Sequence, residues 1–213
     1  MRSHGFPQEV VAMMSDTRPR RGSVKGVDVS GGALLGFIDG MGGFKVTAHK
    51  LLNDSGIMEP QSDHWYPLEA LLLILNKVAD EGGVNVLRQI GASLITKAQW
   101  PKEIDSLSKA LHSVDVSYHM NHRRSGKVLF DASSGKVIEG MMGHNTVVPP
   151  AGNEHRALYV CNTFYPCELD FGIASAFVRK FKPLGCNHHA TIVHGENGCR
   201  RRGDQSCTYI IEW

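Results

Sequence analysis

The hydrophobic period of this chain changes once along its length, and that change limits the folds open to it. From Leu68 to Leu111 apolar residues recur every three or four positions, whereas beyond Val114 they alternate with polar ones. Helices come first and strands second, so the two kinds of element have to share one core. The pattern predicts an α+β fold, a helical N-terminal half followed by an antiparallel sheet that helices cover on one face.

The helical stretches carry their own boundaries. Pro67 stands at a helix start and Gly82-Gly83 at a helix end, which brackets LEALLLILNKVADEG. Val84, Leu87, Ile90, Leu94 and Ile95 then repeat at helical spacing, and a third helix is expected after Trp100, with Pro101 in its first turn and Ile104, Leu107, Ala110 and Leu111 as its stripe. Ahead of these, residues 33 to 53 read as two short helices hinged at Gly40, Gly42 and Gly43, because three glycines cost a continuous helix too much. Val46, His49 and Leu52 fall on one side of the second piece.

Strands are expected where Val116, Tyr118 and Met120 alternate with Ser117, His119 and Asn121, and on both sides of the Ser-Ser-Gly turn in KVLFDASSGKVIEG. ALYVCN, HHATIVHG and CTYIIEW add three more, and ELDFGIASAFVRKF is an interposed helix. Residues 1 to 30 carry Arg18, Arg20 and Arg21 without sustained periodicity and read as a flexible basic leader, leaving 31 to 213 as one domain.

Charge and composition exclude several functions. Lys and Arg number 23 against 21 Asp and Glu, a net charge of +2, which is too balanced for a nucleic-acid-binding surface. The longest apolar run, Ala70 to Leu75, is far short of the roughly 20 residues of a membrane helix, and the N-terminus lacks the apolar core of a signal peptide. A cytoplasmic protein with no membrane span and no nucleic-acid partner is expected. No Gly-rich phosphate loop, nucleophile elbow, His-Glu-x2-His pair or CxxC occurs.

The 5 cysteines are odd in number and all lie beyond residue 160, a distribution that suggests metal or thiol chemistry rather than a disulfide framework. Glu196, Cys199 and Cys207 form Glu-x2-Cys-x7-Cys, with an Arg202-Gly203-Asp204 turn able to fold one thiolate back toward the other. A tetrahedral metal needs one more donor. Cys167 is the first choice, with Cys161, Cys186, His188, His189 and His194 as rivals. Small buried hydrophobes are the simpler role for Cys199 and Cys207. Cys167, at a helix start, also qualifies as a nucleophile of depressed pKa if His155 or His194 stands beside it.

Two ring-rich segments qualify as ligand sites. Trp65 and Tyr66 precede a helix, where they form either the mouth of a pocket or core packing. Tyr118 and His122 share one face of the expected strand and His119 takes the other, with Arg123 and Arg124 beside them, an arrangement suited to an anionic ligand or a haem propionate. Glu168 and Asp170 are explained by the positive end of a helix, and Arg200, Arg201 and Arg202 by a solvated turn.

The C-terminal motifs resemble the 4-vinyl reductase domain family, which includes the ligand-sensing domains of phenol- and xylene-responsive activators and is related to TRAPP subunits. Gly172, Ser175, Ala176 and Phe177 match its helix motif, and Glu196, Cys199, Gly203 and Cys207 its metal motif. The resemblance implies a homodimer, an apolar pocket for a small hydrophobic or aromatic molecule, and a structural zinc beside it. The expected function is therefore a small-molecule sensor with zinc held by Cys167, Glu196, Cys199 and Cys207, signalling through a separate partner. Two alternatives stay open: an enzyme or accessory factor acting on a tetrapyrrole or a thiol-reactive substrate through Cys167, and a haem-binding sensor that uses one of the 11 histidines.

Overall fold

The computed structural model describes residues 23–138, 142–148, 156–181, 191–195 and 198–213. Strand β1 (Val27–Ser30) leads into helix α1 (Gly31–Gly40), and a short 3-10 turn at Gly42–Phe44 separates it from α2 (Lys45–Asp54). The break falls at the three glycines. Ala48, Leu51 and Leu52 form the buried side of α2, while Val46 is 81% exposed and His49 is exposed too, so only Leu52 of the expected stripe faces inward.

Strand β2 (Trp65–Pro67) precedes α3 (Leu68–Gly82), and α4 (Val84–Lys97) follows at once. Pro67 caps α3 at one end, and Gly83 ends it with a φ of 80°, a conformation glycine adopts without strain. Leu68, Leu71, Ile74, Leu75 and Val78 of α3 are buried, each contributing roughly 2 kcal/mol by leaving water.

Helix α5 spans Leu107–Met120, and here the expected alternation gives way. Leu107, Ala110, Leu111, Val114 and Tyr118 are buried at helical spacing, so the run that reads as a strand from Val116 onward is the last turn of a helix. Its start is set by Ser106, whose Oγ accepts the Lys109 N–H at 3.4 Å, rather than by Pro101.

Short strands β3 (His122–Arg124), β4 (Lys127–Val128), β5 (Phe130–Asp131) and β6 (Lys136–Val137) come next, with β5 and β6 paired across the Ser-Ser-Gly turn. Then come β7 (Asn145–Val148), β8 (Arg156–Cys161), helix α6 (Cys167–Lys180), β9 (Thr191–His194) and β10 (Cys207–Glu212). The strands form two antiparallel four-stranded sheets, ordered β2-β1-β3-β4 and β7-β8-β10-β9, besides the β5-β6 pair. The α+β class therefore stands. Two apolar clusters result: one centred on α1, α3 and β1, the other on α5, α6 and the β8-β10 pair. No helix among the described residues is long and apolar enough to cross a membrane.

Candidate functional site

Between the two clusters lies a cavity of about 530 Å3, within the range of small-molecule sites. Phe37 of α1, Leu94 of α4, Val114 of α5, and Ile173 and Phe177 of α6 line it, with Trp100 from the α4-α5 connection. Trp100 is held there by edge-on contact with Phe177 at 5.0 Å and by its indole N–H, which donates to the Ile95 carbonyl at 3.0 Å.

His122 places an imidazole in this wall. It is 2% exposed, with Nδ1 at 2.5 Å from the Tyr118 carbonyl oxygen and Nε2 at 2.8 Å from the Tyr165 hydroxyl. A carbonyl can only accept, so the ring proton sits on Nδ1. Burial, seconded by nearby His119, holds the imidazole pKa down to about 4. The ring is neutral near pH 7, Nε2 is an acceptor, and Tyr165 donates to it. Tyr165 is itself packed between Phe37 at 5.3 Å and Tyr118 at 6.1 Å.

A second polar stretch of the wall is formed by Asn145, Thr163 and Asp170. The Tyr159 hydroxyl donates to Asn145 Oδ1 at 3.0 Å, and Thr163 Oγ1 donates to Asp170 Oδ2 at 2.9 Å. Arg200 reaches over from the β9-β10 connection: Nη2 pairs with Asp170, and Nη1 donates to both the carbonyl and the Oγ1 of Thr163 at 2.6 Å. Burial pushes the Asp170 carboxyl up and the Arg200 guanidinium pulls it back. Arg200 thus belongs to the core and not to a solvated turn, with 5% of its side chain exposed. Glu168, expected to serve the helix end, also pairs with Arg88 at 2.5 Å.

Of the residues singled out in the sequence as ligand-binding, Tyr118 and His122 line the cavity, while Trp65 and Tyr66 do not. Trp65 lies 5.0 Å beneath the Arg123 guanidinium, and the Tyr66 hydroxyl accepts the Gln61 N–H at 2.7 Å. Arg123 is committed to Asp28 at 2.8 Å and Arg124 to the Ser23 carbonyl, so neither faces the cavity. His119 sits elsewhere, against the Asp115 carbonyl at 2.8 Å, while the Asp115 carboxylate takes the Asn145 N–H at 2.7 Å and ties α5 to β7.

Cys167, Cys199 and Cys207 come together with His194, one donor atom from each lying within 4.8 Å of the others. Glu196, Cys186, His155, His188 and His189 lie outside the described residues. Cys207 Sγ accepts from the Arg200 backbone N–H at 3.3 Å and from its Nε at 3.4 Å. The Cys167 hydrogen bond draws the Cys207 pKa down, helped by Arg200. Cys167 moves the opposite way, pushed up by its bond to Cys207 and by burial. Cys161 is buried opposite Cys207 in the β8-β10 register.

No family model and no curated protein sequence matches the chain. Solved structures do. An H-NOX protein from S. oneidensis in the Fe(II)NO state superposes with a TM-score of 0.59 at 13% identity, over 86% of this chain and 98% of that one. A point variant of an H-NOX protein from K. algicida, in its unliganded Fe(II) state, gives 0.56 at 12% identity over 86% and 95%. A structure described for modulation of haem redox potential through porphyrin distortion gives 0.51 at 18% identity over 85% and 99%. The fold is the one H-NOX proteins share.

That finding corrects two expectations. The resemblance to the 4-vinyl reductase family does not hold, since the similar structures are H-NOX proteins; it rested on the C-terminal motifs alone, whereas the structural likeness extends over 86% of the chain. Zinc as the cofactor is corrected with it, because the descriptions of those structures name Fe(II) and haem. Tyr165, Thr163, Asp170 and Asn145 went unrecognised as site residues. Of these, only the Phe164-Tyr165-Pro166 run before a helix carried any local sign.

Proposed function

We propose that this chain is a sensor domain that holds haem in the cavity between its two clusters, with His122 as the axial ligand. The observation that carries the reading is a buried, neutral imidazole with its proton fixed on Nδ1, set in an apolar cavity on an H-NOX fold. Axial histidines have this form: one ring N–H is spent on a backbone carbonyl, which orients the other nitrogen and raises its basicity. Phe37, Leu94, Ile173 and Phe177 would pack against the apolar ring of the haem, and Lys97, also in the lining, would offer a cation to a carboxylate.

Haem bound here would supply an iron able to take a small gas; the similar S. oneidensis H-NOX protein is described in its Fe(II)NO state. Output requires two packings of the α1-α4 side against the α5-α6 side with different affinity for the ligand, read by a separate partner protein. Titration of the purified protein with haem tests the proposal. A Soret band that saturates at one haem per chain, shifts when nitric oxide meets the reduced protein, and is lost in a folded His122→Ala variant is expected. Absence of the band, or a band untouched by His122→Ala, overturns it.

A further inference from the structure

We propose that Tyr165 is a built-in competitor for His122 Nε2, holding that nitrogen in the haem-free protein and giving it up when a metal-bearing ligand takes it. This rests on the haem reading above and adds the residue that sets how readily His122 becomes a ligand.

A neutral imidazole has one in-plane lone pair. Nδ1 is spent on the Tyr118 carbonyl at 2.5 Å, which leaves the pair on Nε2, and the Tyr165 O–H already points at it from 2.8 Å. A hydroxyl hydrogen and a metal cannot both hold that pair. Ligation therefore breaks the Tyr165–His122 bond, and the phenol has to find another acceptor or move.

Tyr165 is placed so that such a movement has consequences. It is 6% exposed, its ring touches Phe37 of α1, and Pro166 behind it is the cap residue of α6. Two residues earlier, Thr163 is bolted to Arg200 through its carbonyl and Oγ1. The competitor sits on the segment that joins the cavity to the start of α6.

The test compares wild type, Tyr165→Phe and His122→Ala. The phenylalanine keeps the ring and removes the donor. Haem affinity should rise in Tyr165→Phe by about fivefold, the worth of one ordinary net hydrogen bond. In the haem-free protein, 15N NMR of the histidine ring should show Nε2 moving toward the chemical shift of an unbonded imidazole nitrogen, which a purely structural role for Tyr165 would not produce. Haem binding lost in His122→Ala but unchanged or weakened in Tyr165→Phe overturns this inference alone. An unshifted Nε2 resonance also overturns it. A wild type that takes up no haem removes the underlying reading as well, and the missing Soret band identifies that failure.

Discussion

Gly91 of α4 and Gly172 of α6 sit against each other's helix backbone: a Cβ on Gly91 would fall 2.2 Å from the Leu169 carbonyl oxygen, and one on Gly172 would fall 2.2 Å from that of Arg88. The two helices cross without intervening side chains. That closeness brings the Arg88 Nε to Glu168 and sets the Arg88 guanidinium 4.5 Å over the Phe171 ring. It also fixes the distance between the two sides of the cavity, since Leu94 is on one helix and Ile173 on the other.

Gly91→Ala or Gly172→Ala should therefore lower stability by about 3 kcal/mol or more, because the obstructing atoms are backbone and cannot rotate away. Urea unfolding would show a lower midpoint with an unchanged slope. Gly43, around which a Cβ would meet nothing within 4 Å, is the control, and its alanine variant should unfold within about 0.5 kcal/mol of wild type. Equal tolerance at all three positions would show the crossing to be looser than described.

The Asp170–Arg200 pair has both partners inside the protein, with 4% and 5% of their side chains exposed. Arg200→Met strands a buried carboxylate and should cost about 3–5 kcal/mol. Adding Asp170→Asn removes the charge and should recover part of that loss. A double variant no more stable than the single one would mean that Arg200 matters through its bonds to Thr163 and Cys207 instead.

Acid should destabilise the haem-free protein through His122. Its pKa falls from the usual 6.5 unfolded to about 4 folded, so between those values the unfolded chain binds a proton that the folded chain refuses. The contribution is present above pH 6.5 and lost as pH falls toward 4, on the order of 3 kcal/mol over that window. The stability lost between pH 7 and pH 4.5, read from urea unfolding at each, should be larger in wild type than in His122→Gln. Parallel losses in the two proteins would remove His122 from the account.

Ser106→Ala should cost about 1 kcal/mol by leaving the Lys109 N–H of α5 without its cap, while Pro101→Ala should change little. Thermal unfolding of the two variants separates the cap that the fold uses from the proline that the sequence suggested.

Some of this was local enough to read directly. The glycine hinge after Gly40, the ends of α3 at Pro67 and Gly83, and the β5-β6 turn depend on backbone preferences within a few residues, and they fall where the sequence places them. The last turn of α5 does not. From Val116 to Met120 an alternating pattern and a helical one are both satisfied, and the choice is made by the distant cap at Ser106 and by the core that receives Val114 and Tyr118.

What the sequence determined by itself is the α+β class and most of its elements, because periodicity and capping act along the chain. The cavity was decided by tertiary structure alone. Phe37, His122, Tyr165 and Ile173 stand on four separate segments, and they meet around one cavity because α4 packs on both α1 and α6 and because β3 pairs with β1. The Tyr118 carbonyl that fixes the His122 proton is only four residues away, but the burial that depresses its pKa and the Tyr165 hydroxyl at Nε2 come from distant segments that no spacing along the chain brings together.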